Sequence, residues 1–256
     1  MKGLRRSLSF LTRLPVPSET LTSVELARAI PWFPAAGLVI GGFVAGVFWV
    51  TAQGLSPTLS ASLAVLTGAA MTGGFHEDGL GDTFDALGGG WSRDEMLSIM
   101  KDSRQGTFGV LAIVGTVLVR VTALAALPVN VGVWTLLLAH SLARGAVVGV
   151  MVVSAPVATS GLGASYAREL HRPTAVVSSL LASGAAVVVW GVNGLLVVGV
   201  LVIVVAVFMI WVHGKIGGYT GDILGAAEQF GEMTILAMAV FMVGQGWELV
   251  RWLPVV

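Results

Sequence analysis

The chain has 256 residues, a formal net charge of zero and no cysteine, and 55% of its residues are hydrophobic while only 11% are charged. A soluble domain carries roughly 25% charged residues, and a chain of this length has no core large enough to hide so much apolar surface, so we expect lipid to be its solvent. The neutral balance gives no electrostatic reason to expect a nucleic-acid partner, and the lack of cysteine excludes disulfides, thiolate nucleophiles and cysteine-ligated metals.

The N-terminal segment, residues 1–30, is interpreted as an amphipathic helix at the membrane surface. Its first residues, MKGLRRSLSFLTRLPVP, contain four basic side chains but no apolar run of 7–15 residues before Pro15. The segment therefore lacks the middle part of a signal peptide. Basic and apolar residues in alternating groups are typical of a helix that lies in the interface.

Seven apolar stretches predict membrane spans, because a span needs about 20 largely apolar residues. The fold class is therefore predicted to be all-α, a polytopic membrane helix bundle that forms a single membrane domain over residues 1–256. The predicted spans are 32–52, 57–74, 108–127, 133–153, 175–192, 194–212 and 233–250.

The distribution of Lys and Arg predicts the orientation of the bundle. The N-terminal segment and the polar segments 75–106 and 154–174 all contain basic residues, whereas the short loops 53–56, 128–132 and 191–194 contain none. A cytoplasmic N-terminus fits this pattern and leaves only Arg251 on the other side. Every long polar segment then lies at the cytoplasmic face, which is expected of a membrane enzyme with a cytoplasmic substrate. The expected location is a bacterial cytoplasmic (inner) membrane.

The segment 75–106 is predicted to be an acidic active-site segment. Seven of the fourteen carboxylates of the chain lie between Glu77 and Asp102. Asp78, Asp82 and Asp85 have the spacing i, i+4, i+7, which places them on one face of a helix. Like charges on one face repel each other, so basic side chains or a hard cation such as Mg²⁺ must offset them. A solvated linker remains the alternative for this segment.

Two further polar segments offer groups for phosphate. Residues 213–232, HGKIGGYTGDILGAAEQFGE, are predicted to be a Gly-rich turn in which Thr220 caps a helix, with Gly221 and Asp222 beside an anionic substrate. Lys101 and Arg104 precede a span and are phosphate-binding residue types, although they are also ordinary positive-inside residues.

Charged residues inside the predicted spans must face the interior of the bundle or a cavity, because a charge at that depth costs at least a few kcal/mol. Arg120 lies in the third predicted span and is interpreted as structural. Arg144 lies in the fourth and is predicted to bind a substrate phosphate. His140, near Arg144, is interpreted as a hydrogen-bonded interior residue.

Two families resemble parts of this pattern. The Asp-Gly-x-x-Asp-x-x-Asp spacing is similar to the metal-binding pattern of CDP-alcohol phosphotransferases, but the Ala-Arg that follows in those enzymes is missing here. The stretches GGFHEDGLGDTFDALGGGWSRDEMLSIMKDSRQGTFG (73–109) and GGYTGDILGAAEQ (217–229) closely resemble the cobalamin synthase, or adenosylcobinamide-GDP ribazoletransferase, family. FLTRLPVP (10–17) and APVATSGLGASYA (155–167) resemble its N-terminal and central signatures, so the likeness covers nearly the whole chain.

This second resemblance implies an Mg²⁺-dependent phosphotransferase. Adenosylcobinamide-GDP would react with α-ribazole, or its 5′-phosphate, to give adenosylcobalamin, or its 5′-phosphate, and GMP. The implied metal ligands are Glu77, Asp78, Asp82 and Asp85. Glu77 is alternatively the base for the attacking hydroxyl, and His76 is another candidate base. A homo-oligomer is left open.

Other functions remain as alternatives. A membrane lipid enzyme similar to the CDP-alcohol phosphotransferases would release CMP instead of GMP. A corrinoid or cobalt transporter would place its polar residues near the middle of the membrane, whereas most of those in this chain lie at one face. A structural membrane subunit would tolerate the loss of Asp82.

Overall fold

The computed structural model describes residues 2–16, 21–158, 162–247 and 249. Within these ranges the chain is helical, and a lone parallel bridge pairs Pro156 with Tyr219. A short 3-10 helix, Ile30–Trp32, joins α2 to α3. The helices are α1 (Lys2–Leu11), α2 (Ser23–Ala29), α3 (Phe33–Thr51), α4 (Pro57–Thr72), α5 (Phe75–Gly89), α6 (Arg93–Ile99), α7 (Thr107–Ala125), α8 (Val129–Val153), α9 (Leu162–Glu169), α10 (Arg172–Trp190), α11 (Asn193–Ile216) and α12 (Gly221–Gly244).

Six stretches of helix are long and apolar enough to cross a membrane among the described residues. They are Ser23–Thr51, which includes α3, and the helices α7, α8, α10, α11 and α12. A seventh span results if α4 and α5 are taken together, although they bend by 88° where they meet. The predicted all-α, polytopic membrane bundle is therefore confirmed. Arg251, which the charge pattern put on the opposite side, lies outside the described residues.

Helix α8 lies at the centre of the bundle, where it packs against α3, α10 and α12. Glycines permit this close packing. A side chain at Gly41 of α3 would lie 2.9 Å from the Leu136 carbonyl oxygen of α8, and one at Gly231 of α12 would lie 2.8 Å from the Ala143 Cβ. Small residues at such contacts are typical of membrane helices, because they let the two backbones approach and increase van der Waals contact.

The polar segments meet at one end of the bundle. The bridge between Pro156 and Tyr219 joins the end of α8 to the start of α12. Arg93, at the start of α6, donates from Nε to the Ile216 carbonyl oxygen at the end of α11, at 3.0 Å. We call this the polar end of the bundle. The cytoplasmic placement of this end stays a prediction.

The start of the last span was predicted wrongly. The span was expected to begin at residue 233, but α12 already begins at Gly221, so that only residues 217–220 of the Gly-rich segment lie between helices. Glu228 and Glu232 made this part of the sequence look like a polar segment. Both are buried inside the bundle, where basic side chains of other helices neutralise them.

Candidate active site

Three carboxylates form an acidic rim at the polar end of the bundle. Asp78 and Asp82 are on α5, and Asp222 is in the first turn of α12. Asp78 is exposed and the other two are half-buried. Asp82 interacts electrostatically with both Asp78 and Asp222. The acidic segment and the Gly-rich segment therefore meet in the structure.

The acidic rim has no basic counter-ion within the described part of the chain, where none of the ion pairs within 4.0 Å includes Asp78, Asp82 or Asp222. Its hydrogen bonds are to neutral groups. Gln105 Nε2 donates to Asp82 Oδ1 at 3.1 Å, and the Thr220 hydroxyl donates to Asp222 Oδ2 at 3.3 Å. Clustered carboxylates that keep free oxygens are the ligands that hard divalent cations prefer.

Two glycines hold the rim together by letting α5 and α12 approach. A side chain at Gly79 of α5 would lie 2.8 Å from the Asp222 carbonyl oxygen, and one at Gly225 of α12 would lie 3.3 Å from His76 Cα. Gly79 is one helical turn before Asp82, so Asp222 lies near both. The space beside Gly79 is therefore filled by the opposing helix.

Thr220 caps α12 as predicted, since its hydroxyl accepts a hydrogen bond from the Ile223 N–H at 3.3 Å. Gly221 follows at the first position of α12, and a side chain there would meet no atom within 4 Å. Next to this turn the hydroxyl of Tyr219 is buried, and burial raises the pKa of Tyr219 to about 12. The start of α12 therefore presents open backbone beside the acidic rim, which is the position expected for an anionic substrate.

Asp85 is hydrogen-bonded to the start of another helix, a role that its i, i+4, i+7 spacing with Asp78 and Asp82 did not predict. Its Oδ2 accepts a hydrogen bond from the Gly106 N–H at 2.6 Å, and its Oδ1 accepts one from the Gly109 N–H at 2.8 Å. These N–H groups belong to the start of α7, which otherwise has no side-chain cap. Asp85 thus joins α5 to α7, and its predicted role as a metal ligand stays a prediction.

The two basic residues predicted near the substrate phosphates lie on the surface. Lys101 is exposed. Arg104 is also exposed and donates from Nη2 to Asp102 Oδ2 at 2.5 Å. The Arg104 guanidinium lowers the pKa of the Asp102 carboxyl to about 2. Both cations are on the α6–α7 connection, which also supplies Gln105 to Asp82.

Six charged or titratable side chains form a buried ion network below the rim: Glu77, Arg120, His140, Arg144, Glu228 and Glu232. Arg120 of α7 lies 2.9 Å from Glu232 of α12 and 3.3 Å from Glu77 of α5. The Arg144 Nη1 of α8 lies 2.6 Å from Glu228 and 3.3 Å from Glu232. The network therefore links four helices through their charges.

His140, Glu228 and Glu232 present ligand atoms within 4.8 Å of one another, which is close enough to hold a metal ion. However, Arg144 Nη1 contacts all three side chains, at 3.4 Å from His140 Nδ1 and at the two carboxylate distances given above. The guanidinium therefore already supplies the positive charge that an ion would bring. The predicted role of Arg144 as a phosphate ligand would have to compete with these two buried carboxylates.

Of the two predicted bases, Glu77 belongs to the buried ion network and His76 lies beside it. Glu77 is paired with Arg120 through Oε1, while its Oε2 has no hydrogen-bond partner within the described residues. His76 is buried, with Nδ1 3.8 Å from Glu228. Both side chains are on the first turn of α5, immediately before Asp78.

The network could have been predicted from the spacing of charged residues in the sequence. His140 and Arg144 are four residues apart within one predicted span, and Glu228 and Glu232 have the same spacing. Each pair therefore lies on one face of its helix. Basic pairs and acidic pairs on apolar helices predict an ion-paired interior, because an isolated charge there is too costly.

Comparison with known proteins gives a consistent picture. A family model described as cobalamin-5-phosphate synthase matches residues 3–240. Adenosylcobinamide-GDP ribazoletransferase of Bradyrhizobium diazoefficiens is 40% identical over 94% of this chain and 95% of its own. The proteins of that name from Shewanella sp. (strain W3-18-1) and Shewanella baltica (strain OS185) are 35% and 36% identical over 93% and 89% of both chains. No solved structure matches significantly. The chain belongs to the cobalamin-5-phosphate synthase family.

Proposed function

We propose that the protein is an adenosylcobinamide-GDP ribazoletransferase that catalyses the last step of cobalamin synthesis. Its substrates would be adenosylcobinamide-GDP and α-ribazole, or the 5′-phosphate of α-ribazole. The observation that carries this proposal is the acidic rim, where the two signature segments of the family meet and leave Asp78, Asp82 and Asp222 without counter-ions among the described residues. The names of relatives that match nearly the whole chain support the same activity.

The reaction is a substitution at phosphorus. A ribose hydroxyl oxygen of α-ribazole, other than the 5′ oxygen that carries the phosphate in the alternative substrate, forms a bond to the phosphorus on the corrinoid side of the diphosphate. The bond from that phosphorus to the bridging oxygen breaks, and GMP leaves with the electron pair. The hydroxyl proton goes to a base of the protein. Such transfers depend mostly on positioning and on neutralising charge, so the site must hold a diphosphate beside a nucleoside.

The acidic rim fits Mg²⁺, the cofactor that we propose. Asp78, Asp82 and Asp222 would hold the ion, because these carboxylates lie together and their charge is not balanced by a basic side chain in the described residues. When bound, Mg²⁺ neutralises diphosphate oxygens and stabilises the charge of the leaving phosphate. Gly221 and the N-terminal turn of α12 would add backbone N–H groups for the same oxygens.

His76 is the better placed of the two candidate bases. It lines a pocket that also reaches Gly221, whereas Glu77 is directed to Arg120 and the buried network. Glu77 would then orient the first turn of α5. Lys101 and Arg104 lie on the exposed connection beside the rim, where they would meet the guanosine side of the diphosphate.

The protein as a whole would work in the cytoplasmic membrane of a bacterium, with the polar end of the bundle facing the cytoplasm. That orientation gives the soluble nucleoside access to the acidic rim. The bilayer itself would surround the apolar helices.

One experiment tests the proposed function directly. The full chain is reconstituted in lipid and incubated with adenosylcobinamide-GDP, α-ribazole and Mg²⁺, and cobalamin and GMP are separated chromatographically. We expect both products in equal amounts. Release of CMP from a CDP-alcohol would favour the lipid enzyme. Uptake of corrinoid into proteoliposomes without GMP release would favour a transporter.

A further inference from the structure

A pocket beside the acidic rim has features that the transfer reaction alone does not require. It is lined by residues of α1, α2, α3, α5, α8, α9 and α12 and of the 3-10 helix, and its cavity volume is about 60 Å³ behind an open mouth. The lining includes His76 and Gly221, which are at the starts of α5 and α12. Its accessible wall is mostly apolar, with Leu11, Val147 and Met151 among the apolar side chains, and Tyr166, Arg144 and Glu228 also line it.

Aromatic rings form a continuous wall on one side of this pocket. Phe33 and Phe10 are stacked, with their ring centroids 5.8 Å apart and their planes 11° apart. Phe10 then meets Phe75 edge to face at 5.8 Å, and Phe75 meets His76 edge to face at 5.3 Å. The side chains of Phe10 and Phe75 remain 37% and 45% exposed, so each keeps a ring surface that a flat ligand can cover.

The same two rings separate this aromatic pocket from a polar pocket. Phe10 and Phe75 also line a second cavity, and its other walls include Arg13, Thr72 and Asp78 of the acidic rim. An apolar ring in the aromatic pocket would therefore hold an attached sugar beside Asp78. This arrangement suits a nucleoside whose base is apolar and whose sugar reacts.

The aromatic pocket has a cationic group in its lining. Arg144 is 1% exposed, and its Nε and Nη2 have no hydrogen-bond partner among the described residues. Its Nη1 is engaged with the buried ion network. Unsatisfied buried donors are costly, so these N–H groups favour a ligand that supplies an acceptor.

The base of α-ribazole has this chemistry. Dimethylbenzimidazole is a flat aromatic ring with an apolar dimethyl edge, and one ring nitrogen stays free to accept a hydrogen bond when the other is joined to ribose. Guanine, by contrast, presents several donors and acceptors around its edge. Most side chains of the lining are apolar and would leave these groups unpaired, and the lining carboxylate of Glu228 is already paired with Arg144. We propose that the aromatic pocket binds the benzimidazole base of the ribonucleoside substrate and that Phe10, Phe75 and Arg144 determine its specificity. This inference rests on the proposed function.

The test compares the two substrates in the reconstituted full chain. Phe10→Ala and Phe75→Ala remove one stacking face each, so we expect the KM for α-ribazole to rise roughly 5- to 150-fold, which corresponds to about 1–3 kcal/mol of stacking. The KM for adenosylcobinamide-GDP should stay within about twofold of the wild-type value. Phe75→Tyr keeps the ring and should restore most of the affinity for α-ribazole.

Phe43→Ala is the matched control, because Phe43 is 59% exposed on α3 and does not line the pocket. It should change neither KM. Equal increases of both KM values in the pocket variants, or an unchanged KM for α-ribazole, would overturn the inference. A third outcome would also overturn it. If wild-type activity depended on the acyl-chain length of the lipid and the pocket variants lost that dependence, the pocket would hold a lipid tail.

Equilibrium dialysis of radiolabelled α-ribazole, without the corrinoid substrate, separates this inference from the proposed function. A wild-type protein that binds α-ribazole more tightly than the Phe10→Ala variant, yet releases no GMP, would refute the transfer reaction and keep the pocket. A wild-type protein that forms cobalamin while all the variants bind α-ribazole equally would refute the pocket alone.

Discussion

The acidic rim and the buried ion network both contain carboxylates, but these differ in burial and in their charged partners. In the network, Glu228 and Glu232 are 1% and 4% exposed and are held by two arginines. In the rim, Asp78 and Asp82 are closer to water and have only a glutamine as a neighbouring donor among the described side chains. A buried charge is stable only with a partner inside the protein, whereas a carboxylate at the edge is partly solvated and can bind a ligand.

Burial and neighbouring charges therefore distinguish the two groups of carboxylates better than residue type does. The three side chains of His140, Glu228 and Glu232 meet a distance criterion for a metal site, but Arg144 Nη1 already contacts all three. Among the residues that the structure describes, the acidic rim does not meet that criterion, but none of its carboxylates has a basic partner within 4.0 Å. A cation is therefore expected at the rim, and four experiments test this difference between the rim and the network.

Removal of divalent metal should have the largest effect. We expect EDTA to abolish GMP release completely and added Mg²⁺ or Mn²⁺ to restore it, since both ions suit an all-oxygen site. The helical circular dichroism signal should not change, because the buried network is balanced by arginines. Full activity after chelation would show that the rim does not hold a metal.

Loss of the arginine at the centre of the network should unfold the protein. Arg144→Met leaves Glu228 and Glu232 without their shared partner, and breaking a buried pair in this way costs about 3–5 kcal/mol. The thermal unfolding temperature in detergent measures the change. Arg104→Met is the control, because Arg104 is exposed and its loss should leave that temperature unchanged. A stable Arg144→Met protein would contradict the structural role of the network.

Removal of one rim charge should reduce turnover without unfolding the protein. Asp82→Asn keeps the side-chain volume but removes a charge that the metal needs, so we expect GMP release at low Mg²⁺ to fall by about a hundredfold or more. Asp94→Asn is the matched control, since the Asp94 side chain lies on the same polar segment and is 93% exposed. If both variants had wild-type activity, Asp82 would not be a metal ligand.

A methyl group at the contact between the two signature segments should have the smallest effect. In Gly79→Ala the new Cβ would lie 2.8 Å from the Asp222 carbonyl oxygen, so α5 and α12 must move apart at a cost of about 1–3 kcal/mol. The Mg²⁺ concentration that gives half-maximal activity should be higher in this variant. Gly42→Ala meets no atom within 4 Å and should be neutral or slightly stabilising. Equal behaviour of the two variants would argue against the tight contact.

The helical membrane bundle, its spans and its family could be predicted from the sequence. Long apolar stretches, the two signature segments and the cap at Thr220 are local features, so they are visible in consecutive residues. The start of α12 was missed for a related reason. Glu228 and Glu232 look polar along the chain, and only the positions of Arg120 and Arg144 on other helices make them compatible with a membrane span.

Composition and spacing pointed to Asp78, Asp82 and Asp222 as candidates for the site, because clustered carboxylates are rare among apolar helices. Which charged side chains pair inside the protein depends on the tertiary structure. Asp85 became a helix cap for α7, and Arg144 became the counter-ion of two glutamates. The physical reason is that the cost of a charge depends on its burial and on partners from distant parts of the chain, and neither is encoded in local spacing.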